Sequence, residues 1–186
     1  MALAHAILTA LTGEELSGYD LAKRFDASLG HFWKASHQQI YKELAKLEQR
    51  ALIAARVIEQ QARPDRIVYA VTKTGLALLR DWAAAPAKTA PVKEDLLVMC
   101  HALGPIPAGM LRAQMMKRNA HARERLLTLQ RLEAKLFPEP GSLKGRALGQ
   151  YLSLRGGLRY ERLWIEWTEE CSAMLKAREP EPRRRP

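Results

Sequence analysis

Ser36-His37-Gln38-Gln39-Ile40-Tyr41-Lys42-Glu43-Leu44-Ala45-Lys46-Leu47-Glu48-Gln49-Arg50 is the stretch that decides how the front half of the chain folds. Ile40, Leu44 and Leu47 recur at spacings of 4 and 3, the signature of a helix with one buried stripe. Ser36 followed by Gln39 three residues on forms a capping box that starts it. With the stripe turned inward, Gln38, Gln39, Lys42, Glu43, Lys46 and Gln49 fall largely outward and Tyr41 lies on the shoulder. Amides, lysines and a phenol on one face suit a DNA major groove: Gln pairs bidentately with adenine, and Lys reaches guanine or a phosphate. The plainer reading is an ordinary solvated helix, with Glu43 and Glu48 partnering lysines.

What flanks the helix favours the groove. Ahead of it, Ala2 to Leu11 reads as a helix stopping at Thr12-Gly13. Ser17, three residues before Asp20, opens a short second helix carrying Leu21, Ala22 and Phe25. Ser17, Tyr19 and the N–H groups of that first turn are candidates to meet a phosphate, against a reading in which Ser17 only caps and Tyr19 only packs. Behind it, Leu52 to Glu59 and Ile67 to Val71 flank Arg63-Pro64-Asp65-Arg66, which reads as a β-hairpin with a long tip. Arg63 and Arg66 would project from that stiff arm toward a minor groove or its phosphates, with Asp65 orienting one of them. A fourth helix, Lys73 to Ala84, offers Leu76, Leu79 and Trp82 for packing. Three helices, a hairpin and another helix is the element order of a winged helix-turn-helix.

The pattern breaks at residues 86–92, where Pro86 and Pro91 frame small residues, so residues 1–85 are expected to form the DNA-binding domain and 86–92 a linker. Residues 93–178 read as a helical domain: a short helix from Glu94 to Leu103, a long one from Pro107 to Phe137, and another from Lys144 to Ala177. The first long helix presents Leu111, Met115, Ala122, Leu126, Leu129 and Leu136 as its seam, and the second Tyr160, Trp164, Trp167, Cys171 and Met174. Stripes of this length need more cover than one short helix gives, so a homodimer is expected. Residues 179–186, with three arginines and no apolar anchor, read as a disordered tail. The fold expected is thus mainly α with a small β-hairpin.

Bulk properties agree. The chain has 186 residues and a formal net charge of +10, which points to an acidic partner. The charge is uneven: residues 1–85 hold 11 basic and 9 acidic side chains, and residues 86–186 hold 19 and 11. A DNA-binding front half must therefore work through a few well-placed cations. No apolar run approaches the about 20 residues that span a bilayer, and no signal peptide opens the chain, so a cytoplasmic protein without a membrane partner is expected. Cys100 and Cys171 lack CxxC spacing and read as core thiols, and the five histidines show no paired ligand spacing, so neither metal nor cofactor is implied. A Gly-rich phosphate loop, a nucleophile elbow and a catalytic cluster are all missing from the sequence, which disfavours an enzyme.

The motifs Ser17-Gly18-Tyr19-Asp20-Leu21, Phe32 to Tyr41 with Leu44 and Leu47, Arg63-Pro64-Asp65-Arg66 before Val68-Tyr69, and Thr72-Lys73-Thr74-Gly75 together resemble the PadR family of bacterial transcriptional regulators. The resemblance continues through Lys93 to Leu97, Tyr160-Glu161-Arg162 and Trp164 to Trp167, and looks like the longer subgroup with a helical dimerisation domain. It implies a homodimer that binds a pseudo-palindromic double-stranded operator, usually as a repressor, and is often released by a small molecule. Carried over by position, Ser36, His37, Gln38, Tyr41 and Lys42 would lie on the recognition helix, Tyr19 near a phosphate, and Arg63 and Arg66 on the wing, while Lys46 is a DNA-binding candidate from its place on the outward face of the helix. Lys42 departs from the family, where proline often follows the tyrosine. Trp164 and Trp167 are candidates to line a pocket for a small aromatic effector, although an aromatic seam more often belongs to a dimer core. The competing function is a winged-helix module that binds protein, for which Lys42, Lys46, Arg63 and Arg66 would be dispensable.

Overall fold

The computed structural model describes residues 2–27, 35–59, 65–87 and 93–178. Arg63, residues 88–92 of the expected linker, and the expected tail 179–186 lie outside them. The chain divides into two compact units, Met1–Ala90 and Pro91–Pro186. No helix among the described residues is long and apolar enough to cross a membrane.

The first unit begins with α1 (Ala2–Leu11), whose Ile7, Leu8 and Leu11 are buried. A two-residue strand, β1 (Leu16–Ser17), follows, then α2 (Gly18–Ala27), α3 (His37–Gln49), β2 (Ile53–Ile58), β3 (Arg66–Val71) and α4 (Lys73–Ala84). Strand order is β1-β3-β2, all antiparallel, with Leu16 opposite Tyr69 and Ile58 opposite Arg66. Leu21, Ala22 and Phe25 of α2 meet Ile40, Leu44 and Leu47 of α3 in a core shared with α1 and the base of the hairpin. This is the expected winged helix-turn-helix, with β1 added. Two apolar-alternating residues are too few to announce a strand, and β1 exists because β3 offers it an edge.

Where α3 ends, the chain reverses tightly. Ala51 takes positive φ, its N–H donates to Glu48 O, and Leu52 N–H donates to Leu47 O. This is a Schellman closure made without the usual glycine. The Thr72 hydroxyl donates to Ala51 O at 2.7 Å and accepts from Gly75 N–H at 3.1 Å. The end of α3, the hairpin and the start of α4 are thereby tied at one point. Trp82 is half exposed and stacks on His5, with ring centroids 4.6 Å apart.

The second unit contains α5 (Asp95–His101), α6 (Ala108–Leu136), a 3-10 turn at Pro140–Ser142 and α7 (Gly145–Lys176). Cross-helix pairs Asn119–Thr168, Arg125–Glu161 and Glu133–Arg155 set α6 and α7 antiparallel. Leu111, Met115, Ala122 and Leu129 are buried as the α6 seam requires, but Leu136 is 57% exposed.

On α7 the expected seam is displaced. The structure turns Glu161, Ile165, Thr168 and Leu175 inward, one residue after each of Tyr160, Trp164, Trp167 and Met174, a rotation of about 100°. Only Trp164 of the expected row is buried, while Tyr160 and Met174 are exposed. Thr168 tolerates the core because its hydroxyl is satisfied: Asn119 Nδ2 donates to it at 2.9 Å, and it donates to Trp164 O at 2.6 Å.

Candidate nucleic-acid interface

Helix α3 displays its outer face as the sequence suggests. The Ser36 hydroxyl accepts from Gln39 N–H at 3.2 Å, and Ser36 N–H donates to Gln39 Oε1 at 2.9 Å. Gln39 is thus committed to closing the first turn. His37, Gln38, Tyr41, Lys42 and Lys46 are all exposed, and Lys46 lies 3.4 Å from Glu43 one turn away. The solvent face therefore carries an amide, an imidazole, a phenol and two ammonium groups within three turns of helix.

Tyr41 joins this face to the start of α2. Its ring lies so close to Gly18 that a β-carbon there would sit 2.3 Å from Tyr41 Cε1. Only glycine allows that approach. Tyr19, the next residue, is 64% exposed beside it. The position of the Tyr41 phenol thus depends on a residue without a side chain.

Two expected contacts are placed differently. Ser17 is buried, pairs with Val68 through β1, donates its hydroxyl to Asp20 Oδ2 at 2.5 Å and accepts from Asp20 N–H at 3.1 Å. Its side chain is occupied as a cap and does not face outward to a phosphate. Arg66 is the first residue of β3, not a tip residue, and its guanidinium pairs with Asp20 Oδ2. The Ser17 hydroxyl, and after it the Arg66 guanidinium, hold the Asp20 carboxyl below the usual carboxylate range, so it is ionised at neutral pH. The same pairing recurs nearby: Glu15 with Arg56 and Glu14 with Arg24. The function of Asp20 beyond its cap escaped the sequence because its partner stands 46 residues away.

In the second unit, Glu161 is 3% exposed and accepts from Arg125 Nε at 2.8 Å, with Arg118 Nη1 at 3.6 Å. The Arg118 guanidinium carbon lies 4.2 Å from the centre of the Trp164 ring, and Trp164 packs edge-on against Tyr160 and Trp167. Trp164 Nε1 is buried without a hydrogen-bond partner among the described residues. Burial pushes the Cys100 and Cys171 thiols up, away from reactive thiolate character. No group of three His, Cys, Asp or Glu side chains suited to a metal occurs among the described residues.

Comparison with known proteins adds to this geometry. Residues 7–81 match the family model "Transcriptional regulator PadR-like family", and residues 92–176 match "Virulence activator alpha C-term". A Mycobacterium tuberculosis protein described as a "Probable transcriptional regulator" is 39% identical over 95% of this chain and 98% of its own. The negative transcriptional regulator PadR of Bacillus subtilis is 31% identical over 93% and 97%. Its crystal structure with operator DNA superposes with a TM-score of 0.84 at 30% identity, covering 94% of this chain and 99% of that one. Its complex with p-coumaric acid gives 0.79 at 29%, covering 95% and 99%.

Proposed function

Because this chain belongs to the PadR-like family of transcriptional regulators, we propose that it binds a pseudo-palindromic operator as a homodimer, represses there, and is released by a small aromatic effector. The function is recognition without catalysis, exercised where the operator lies, in the cytoplasm. The observation that carries the reading is α3 itself: a box-capped helix whose apolar stripe is buried and whose opposite face presents Gln38, Lys42 and Lys46. Tyr41 carries that face to Gly18, next to Tyr19 in the chain, and His37 would add to it at the first turn; Arg66, and Arg63 by its place in the sequence, would serve as the wing's cations.

Within this reading the residues divide their work. Gln38 and Lys42 read base edges, while Lys46, Tyr19 and the wing arginines meet the backbone. Ser36 and Ser17 shape the two helix starts that carry these groups. Homodimerisation is supported by Leu152, Leu163 and Met174 of α7 and Leu127 of α6, all exposed large apolar side chains. For the effector, Trp164 and Trp167 are the lining residues proposed, supported by the unpartnered Trp164 Nε1, a donor that a phenol or carboxylate oxygen would satisfy.

Gln38→Ala tests the base-reading assignment. It is expected to cost about 1–3 kcal/mol of discrimination at one position per half-site, with the dimer intact. Binding to a panel of singly substituted operators measures this. Unchanged base preference at every operator position, or loss of the dimer on size-exclusion chromatography, would sink the assignment.

A further inference from the structure

We propose that Asp20 competes with the DNA backbone for the Arg66 guanidinium, so that this carboxylate sets how tightly the wing engages DNA. The proposal rests on the DNA-binding reading above and adds a residue to it.

The carboxylate is held in place and is not a loose rim charge. Its Oδ2 receives the Ser17 hydroxyl at 2.5 Å as well as Arg66, and Ser17 is itself buried and fixed in register by its pairing with Val68. Asp20 also occupies the first turn of α2, where the helix field would otherwise favour a phosphate. The pair remains open to solvent, with the Arg66 side chain 44% and the Asp20 side chain 35% exposed. Register puts Arg56 opposite Val68 and Ile58 opposite Arg66, so alternation places Arg56 and Arg66 on one face of the hairpin. Arg56 pairs with Glu15 just as Arg66 pairs with Asp20. That face is charge-compensated in the free protein, in keeping with the small net charge of residues 1–85. A phosphate can take Arg66 only by drawing it from Asp20. Every duplex then meets the same penalty, and affinity is left to depend more on the base contacts of α3.

A double-substitution cycle on the full chain tests this, using a fluorescently labelled mixed-sequence duplex over a salt series. Asp20→Asn keeps an acceptor for Ser17 and is expected to tighten binding about threefold. Arg66→Gln alone is expected to weaken binding and lower the log K against log salt slope by about 0.9. Combined with Arg66→Gln, Asp20→Asn is expected to change nothing further. A gain from Asp20→Asn that persists in the Arg66→Gln background means that the carboxylate acts through its own charge, which overturns the proposal. Weaker binding by Asp20→Asn, with an unchanged melting curve, overturns it as well. Should the unsubstituted chain show no salt-dependent binding, the DNA-binding reading fails along with it; binding by that chain with zero coupling in the cycle removes this proposal alone.

Discussion

Gly75→Ala is expected to destabilise the first unit by about 3 kcal/mol, at the upper end of what overpacking costs. A β-carbon at Gly75 would stand 2.2 Å from Leu52 O and 2.9 Å from Val71 Cγ2. Neither neighbour can yield freely. Leu52 O already accepts from Thr72 N–H at 3.1 Å, and Gly75 N–H is held by the Thr72 hydroxyl at the same distance. Relief requires α4 to lift from the junction that also anchors β3, so the hairpin should loosen with it. Thermal melting followed by circular dichroism measures the loss. Gly149→Ala, on exposed α7 backbone with nothing within 4 Å, serves as the control and is expected to stabilise by up to about 1 kcal/mol. Equal melting temperatures for the Gly75 variant and the parent would contradict the account of how α4 docks.

Glu161→Ala should have an effect of similar size in the second unit, about 3 kcal/mol or more. The carboxylate is nearly inaccessible and answers both Arg118 and Arg125, so its removal takes a buried counter-charge from two cations at a helix interface. Arg118, whose guanidinium lies over the Trp164 ring, would lose its carboxylate partner. Glu169→Ala, which breaks the exposed pair with Arg123, is the contrast: both side chains are more than half exposed, and the change is expected to stay within about 1 kcal/mol. Denaturant melts of the two variants decide the matter. Indistinguishable midpoints would mean that Glu161 does not organise the α6–α7 contact.

What the sequence made legible was local. The α3 capping box depends on residues three apart, and its apolar stripe on residues three and four apart, so both could be read directly and both are present. The hairpin was equally open to reading, since its β-branched flanks carry their own signal. Long-range pairing was opaque. β1 depends on an edge supplied some 50 residues later, and Arg66 finds Asp20 across a similar gap. On α7 the aromatic row lies one residue away from the true inner face, because Glu161 and Thr168 look like surface residues until Arg125 and Asn119 are seen to hydrogen-bond them across the helices. In the candidate site, the exposed face of α3 was legible for the same local reason. The use of Gly18 as a seat for Tyr41 was not, since only the packed structure brings the two together.

The central claim is that a two-fold homodimer presents two copies of α3 to DNA. Selecting bound fragments from the source organism's genomic DNA with the purified chain tests it most directly. The account predicts enrichment of an inverted repeat whose half-site centres are separated by a multiple of about 10–10.5 bp. Recovery of fragments that share no repeat, and whose binding follows length alone, would contradict it.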